Sequence, residues 1–320
     1  MKEGNFLWGV SDRNKKIKLK RRGKNKINWE LLSMNVPTLL LIFIFCYLPM
    51  GGLILAFKDF RYDLGIWGSK WVGLDNFRFL FESADAWRIT RNTIGMNFIF
   101  IVTGTVFAIL LGIFLNEVSR RSVKVYQTVM FVPYYLSWIV VGYIFITLFD
   151  MDLGITNQII KLFGGDPIMW YNEPSYWPFL LTIANLWKTG GYMAVIYYTS
   201  ILSIDQEYYD AAKVDGASRL QQIWYITLPA IKPTIIMLTL ISLGGIIRAD
   251  FGMFFFLPNE SGALFPTTDV IDTYVFRTLR KIGDINMSSA ASFYQSIVGF
   301  VLVVVSNGVI RRIDRESAIY

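Results

Sequence analysis

The sequence predicts an all-α membrane protein with six transmembrane helices, and three observations lead there. Of 320 residues, 54% are hydrophobic and 16% aromatic, and the mean hydropathy is positive, which is too apolar for an ordinary soluble domain. Six stretches, about 37–57, 93–116, 127–149, 178–201, 231–252 and 290–310, are each long and apolar enough to cross about 30 Å of hydrocarbon. The net charge of +7 is local, because ten of the 31 Lys and Arg fall within the first 36 residues. It marks a basic tail and not a nucleic-acid-binding field.

Several chemistries are excluded at the outset. The chain contains no histidine and a single cysteine, Cys46, inside an apolar run. An intramolecular disulfide, most cysteine metal sites, His metal ligation and His-based general-base or nucleophile pairs therefore fall away. No G-x-x-x-x-G-K-[ST] loop occurs, so the chain does not cradle nucleotide phosphates itself. No cofactor or metal is expected in it, and any energy source would be a separate subunit.

Residues 1–36 form a basic arm without apolar periodicity, ending in an amphipathic NWELLSM run. The apolar run that follows is longer than a signal-peptide core and continues into LPMGGLILAF, so it reads as an anchor beside anionic lipid. With a cytoplasmic N-terminus, inside segments carry 19 Lys and Arg and the longer outside loops ten, as the positive-inside rule requires. The three domains are then the arm 1–36, a membrane domain 37–310 and a cytoplasmic tail 311–320.

In the first outer loop, Phe77, Leu80, Phe81 and Ala84 share a helical face with Trp87 near its end, which predicts a helix lying flat at the interface. Span two carries Gly104, Ala108 and Gly112 at four-residue spacing, a small-residue stripe for close helix packing. Span three has Pro133 near its cytoplasmic end and should bend there. Tyr134, Trp138 and Phe145 lie along one side of it, and the deeper two fit either packing or a sugar-stacking pathway.

Span four places Lys188 about ten residues in, near the bilayer midplane, where an unpaired charge costs several kcal/mol. Asn185, Lys188 and Tyr192 share a face, and Gly190-Gly191 should loosen the helix beside them. Two readings stay open: a patch lining a substrate pathway, or a lysine paired with an acid of another span or subunit. Tyr134, Trp138 and Arg248 are candidate further contacts. Span five should end with Arg248-Ala249-Asp250 near the outer surface. The last outer loop, 253–289, holds aromatics, prolines and the basic pair Arg280-Lys281.

The stretch Ser203–Pro233 between spans four and five is polar. Ser203 with Gln206, and Ser218 with Gln221, are capping-box signals. Asp205 adds negative charge at the start of a helix expected over about Gln206–Asp215, Gly216 ends it, and Pro229 and Pro233 suit the start of the next. Ile204, Tyr208, Ala211 and Ala212 are predicted to share one face, with Asp210 and Lys213 on a more polar one. A compact bent plug results.

Asp210-Ala211-Ala212, three residues, Gly216, nine residues and Ile226-Thr227-Leu228-Pro229 together resemble the EAA loop of binding-protein-dependent ABC importer permeases. Asp210 stands where the family has Glu, keeping the charge and shortening its reach. Val72-Gly73-Leu74-Asp75-Asn76-Phe77, Trp87 and Asn92-Thr93 resemble the carbohydrate-uptake branch, maltose-permease-like and LplB-like. The resemblance spans roughly residues 35–315. It implies a type I importer permease fold whose loop 203–233 contains a cytoplasmic coupling helix seated in a groove of the ATPase, with Tyr209, Asp210, Ala211, Ala212, Asp215, Gly216, Ala217, Leu228 and Pro229 at the contact.

The implied partners are a second homologous permease, two ATPase subunits that would hold ATP and Mg, an extracytoplasmic solute-binding protein received by the three outer loops, membrane lipid and a carbohydrate, with no nucleic acid. The implied place is the bacterial cytoplasmic membrane, with both termini inside and import by alternating access. Rival readings are a secondary transporter and an ABC permease for a non-sugar solute. The first meets no inverted repeat and almost no acid within the spans, and a membrane enzyme meets no catalytic constellation.

Overall fold

The computed structural model describes residues 29–313, so the expected basic arm and C-terminal tail lie largely outside the described residues. The chain divides into two compact units, Met1–Gly51 and Gly52–Tyr320. In the first, α1 (Trp29–Ile42) begins a helical path with Pro37 inside it. The described apolar side chains of this unit, Leu39 to Tyr47 among them, are exposed, as expected of a surface made for lipid or a partner rather than water.

Among the described residues, the second unit consists of helices and their connecting loops with a two-residue antiparallel pair, β1 (Lys58–Asp59) and β2 (Lys70–Trp71). Its main helices are α2 (Ala84–Glu117), α3 (Arg120–Tyr135), α4 (Trp138–Leu148), α5 (Ile155–Leu162), α6 (Trp177–Leu202) and α7 (Gln206–Val214). They are followed by α8 (Arg219–Gly244), α9 (Phe251–Phe256), α10 (Ile271–Arg277) and α11 (Ile285–Ile313).

Among the described residues, Ser33–Phe57, α2, α8 and Ile285–Gly308 are long and apolar enough to cross a membrane, and α3 with α4 forms a fifth candidate bent by 90°. The 26 residues of α6 extend about 39 Å, but its polar residues dilute its hydropathy below that of the others. The core runs along α6, which packs lengthwise against α2 and across α3. Met96, Val141, Trp177, Leu181 and Met253 cluster at one end of α6, and Ala108, Tyr197, Ile201 and Ile231 at the other.

Several expectations are corrected. Ser83 caps α2 and accepts a hydrogen bond from the Ala86 amide, so Trp87 lies inside a 34-residue helix and not before it, and Asn92 and Thr93 lie well within that helix and not at its start. The flat helix of the first outer loop is two short turns, Asp75–Phe77 and Phe79–Glu82. Of the small-residue stripe, Ala108 is fully buried and Gly112 lies against Ala194 and Tyr197, whereas a Cβ at Gly104 would meet open space. Gly190 and Gly191 do not loosen α6, which runs through them unbroken. A Cβ at Gly190 would strike the Phe107 ring, and one at Gly191 the Met130 backbone. They are glycines because α2 and α3 approach that closely.

Span five ends early. Arg219–Gly244 is one continuous helix with a π turn at Ile223–Thr227 ahead of Pro229, whose missing N–H already breaks the regular ladder. Arg248, Ala249 and Asp250 lie in the break between α8 and α9, not on a helix. A buried carboxylate, Asp269, fixes the segment beyond. It accepts from Arg88 of α2 at 3.0 Å and from Arg277 of α10 at 2.8 Å, while Asn92 donates to its carbonyl at 3.1 Å.

Candidate functional site: a membrane cavity and a polar plug

Two interrupted helices meet beside α6. The α3–α4 break at Leu136-Ser137 exposes backbone carbonyls that no helical N–H can reach. The Lys188 ammonium answers them: it donates to Tyr134 O at 2.9 Å, to Pro133 O at 3.4 Å and to Leu136 O. Three N–H donors thus meet three carbonyls at the negative end of a helix. Lys188 is 9% exposed, and its ammonium sits 5.1 Å from the Trp138 ring centre and 5.9 Å from that of Tyr134. Neither open reading, a pathway patch or an acid partner, named these main-chain oxygens, which carry no residue identity to read.

The second break, Gly245–Asp250, is closed by side chains from three helices. Asn97 of α2 donates to Ile246 O at 2.8 Å and Arg248 O at 2.9 Å. Gln295 of α11 donates to Ile247 O at 2.8 Å, and Asp272 of α10 accepts from the Ala249 amide at 2.8 Å. The Asp250 carboxylate caps α9 through the Met253 amide and accepts from the Trp138 indole at 2.6 Å, joining the two breaks. Irregular backbone at membrane depth survives only where it is satisfied in this way.

A cavity of about 310 Å³ opens beside the second break, with polar wall residues Asn97, Asn185, Thr189, Ser242, Arg248 and Asp250. The Arg248 side chain makes no hydrogen bond or ion pair with a described residue. The expected pathway patch is therefore divided. Asn185 and Arg248 line the cavity, but Lys188 points to the α3 terminus, and Tyr134 and Tyr192 stack on each other at 4.8 Å, away from the cavity wall. Trp138 lies between Asp250 and Gly252. Asn97, Thr189 and Ser242 escaped sequence reasoning; an amide inside the apolar run of α2 was the available signal.

At the other end of α6 lies the polar plug. Asp205, rather than Ser203, caps α7 and accepts from the Glu207 amide at 3.0 Å. Gly216 has φ +80°. Its N–H bonds Lys213 O at 3.1 Å and that of Ala217 bonds Ala212 O at 2.9 Å, the paired bonds of a Schellman stop. Ser218 and Gln221 then form the expected reciprocal box and start α8.

Within α7 the faces differ from expectation. Tyr209 is buried and Ala212 half-buried, whereas Tyr208 and Ala211 face outward. The Tyr209 hydroxyl meets Thr227 Oγ1 at 2.9 Å, Gln222 donates to Ala217 O at 3.1 Å, and Leu228 and Ile204 pack on the Tyr197–Ile231 cluster. Asp210 and Asp215 are exposed. Lys213, 2.8 Å from Asp210, holds its carboxyl below the usual carboxylate range. Pro229 occupies the turn just after the π segment. The plug is thus tied rigidly to α6 and α8, while Tyr208, Val214 and Leu220 present apolar surface outward at 66%, 88% and 69% exposure.

Comparison with known proteins agrees with this architecture. Residues 104–318 match the family described as binding-protein-dependent transport system inner membrane component, and the chain belongs to that family. It is a permease subunit of an ABC transporter. The chain is 33% identical to Protein LplB of Bacillus subtilis (strain 168) over 90% of both chains. It is 32% identical to the polygalacturonan/rhamnogalacturonan transport system permease protein YteP of the same organism, over 90% of this chain and 89% of that one. Among solved structures, a bacterial ABC transporter involved in the import of the acidic polysaccharide alginate superposes with a TM-score of 0.82. Its identity is 32%, over 89% of this chain and 96% of that one. A bacterial alginate ABC transporter in complex with alginate pentasaccharide-bound periplasmic protein superposes with a TM-score of 0.81, at 32% identity over 89% of this chain and 95% of that one.

Proposed function

We propose that this chain is one of two permease subunits of a carbohydrate or oligosaccharide importer, which receives its cargo from an extracytoplasmic binding protein and passes it inward by alternating access. The observation that carries the reading is the pairing of a polar-walled cavity at two broken helices with a rigid plug at the far end of α6. Polysaccharides are the cargo named for YteP and for the alginate transporter, and cavity amides and hydroxyls suit sugar hydroxyls. In this reading α6 joins the five apolar candidates as the remaining membrane helix, tolerated in lipid because its polar residues face the cavity and the α3 terminus.

The plug faces the cytoplasm, as the distribution of basic residues indicates, with both termini on the same side. There α7 is the coupling helix. Tyr209 anchors it from inside, Asp210, Ala211, Asp215 and Gly216 lie at the ATPase contact, Ala212 and Ala217 support that surface, and Leu228 and Pro229 carry motion into α8. Asn185 and Arg248 line the route, while Lys188, Trp138, Tyr134 and Tyr192 shape its wall by holding the α3–α4 break.

Asn185→Ala tests the cavity directly. In proteoliposomes holding the assembled transporter and its binding protein, uptake of the cognate saccharide should fall about tenfold, the loss of one or two hydrogen bonds to substrate. The melting temperature and basal ATP hydrolysis should stay unchanged. Wild-type uptake by this variant would remove the cavity from the route.

A further inference from the structure

A second cavity, of about 360 Å³, lies at the end of α6 farthest from the plug, between the end of α4, the 149–172 loop and the turn at Asn259. Its size lies within the range of about 300–1,000 Å³ usual for ligand sites. The wall is built of aromatic and polar side chains: Phe149, Trp170 and Tyr171 with Asp150, Asn172 and Asn259.

The aromatic groups are fixed in place. Asn157, fully buried, accepts from the Trp170 indole and the Ile168 amide, both at 3.0 Å, and donates to Met151 O and Ile168 O, also at 3.0 Å. Phe149 meets Trp170 edge-on at 5.2 Å. Tyr171 bonds Leu257 O at 3.3 Å and its own carbonyl accepts from Ser261 at 2.8 Å. One buried amide of α5 therefore orders the irregular loop that follows that helix.

The polar groups, by contrast, are free to bind. Asn259 makes no side-chain hydrogen bond with a described residue, and Asn172 has only Met169 sulfur at 3.9 Å. Asp150 uses one carboxylate oxygen on the Asp152 and Leu153 amides and leaves the other open. Asn259 is also held at φ +51°, as is Glu260 beside it, a left-handed conformation rarely adopted by non-glycine residues.

Rigid aromatic faces beside uncommitted amides and a carboxylate match a pyranose ring, whose C–H face stacks and whose rim of hydroxyls hydrogen-bonds. Charge narrows the class. No basic side chain lines the cavity, and residues 150–173 hold Asp150, Asp152, Asp166 and Glu173 against Lys161 alone. We propose that this cavity is a second carbohydrate subsite, taking a neutral, uncarboxylated pyranose unit of the saccharide before it reaches the membrane cavity. The proposal rests on the carbohydrate reading above.

The test uses the assembled transporter in lipid nanodiscs without ATP, carrying Asn185→Ala to weaken the membrane cavity. Saturation-transfer NMR is recorded with maltotriose, xylotriose and mannotriose as neutral probes and trigalacturonate as the carboxylated one. At least one neutral probe should bind, about tenfold more tightly than trigalacturonate. Asn172→Ala with Asn259→Gly should then weaken it about tenfold, the loss of two hydrogen bonds. Glycine suits the left-handed turn, so the fold is kept, and an unchanged melting temperature verifies that.

Absence of binding by every neutral probe, preference for trigalacturonate, or indifference to the double substitution each overturns the subsite. ATP-driven uptake by the wild-type transporter, reconstituted with its binding protein in proteoliposomes, separates the two readings. Intact saccharide uptake with a failed binding test removes the subsite alone, whereas absence of any saccharide uptake removes the carbohydrate reading itself.

Discussion

Gly216→Pro is expected to cut ATP-driven uptake at least tenfold while leaving the protein inserted in the membrane. Gly216 sits at φ +80°, and proline is locked near −65° with no N–H to give. The substitution removes the bond to Lys213 O and forces the turn open, at a cost of about 3 kcal/mol or more, equivalent to a factor of roughly a hundred in the population of the native plug. The damage stays local, because the core along α2, α3 and α6 involves none of these residues. Gly216→Ala is the graded control. It keeps the N–H and must only tolerate a left-handed conformation, so it should fall between wild type and proline. Uptake and membrane content measured together check both, and wild-type uptake by the proline variant would show that the plug's shape does not matter.

Lys188→Met should lower the melting temperature of the assembled transporter by about 5–10 °C, because the part-buried carbonyls at the α3 terminus lose their shared donor, at about 2–3 kcal/mol in all, and a kilocalorie moves a chain of this size by a few degrees. Methionine fills similar space without an N–H, so the effect reports the hydrogen bonds and not a cavity. The contrast with Asn185→Ala is informative. One residue should change stability with any loss of uptake following from it, and the other should change uptake alone. An unchanged melting temperature for Lys188→Met would mean that the α3–α4 break holds itself without the lysine.

What could be read from the sequence depended on whether a signal was local. The Ser218–Gln221 box and the single-residue Gly216 stop form as read, whereas the equally local Ser203–Gln206 signal gives way to Asp205, which lies closer to the helix start. The apolar runs likewise announced helices, because hydropathy reports composition over a span. It does not report continuity. Apart from Pro133 ahead of the first break and the Gly244-Gly245 pair at the second, nothing in the apolar character of either run marks an interruption.

The closing groups come from far along the chain. Asn97 reaches Ile246 and Arg248, Gln295 reaches Ile247, and Lys188 reaches carbonyls more than fifty positions earlier. A backbone oxygen as partner leaves no trace in residue type, so neither reading of Lys188, a pathway lining or an acid partner, pointed to it. Tyr209 and Tyr208 show a smaller version of the problem. Adjacent tyrosines on a nine-residue helix have similar claims to the inward face, and the hydroxyl of Thr227, on the next helix, decides between them.

The central claim is that the plug docks an ATPase. A photo-cross-linking amino acid at Val214, 88% exposed at the end of α7, and another at Leu162, 84% exposed at the end of α5 and remote from the plug, test it most directly in the intact transporter. The account predicts an adduct with the ATPase subunit from position 214, altered in yield when ATP is added, and none from position 162. Absence of an ATPase adduct at 214, or its appearance at 162, would contradict it.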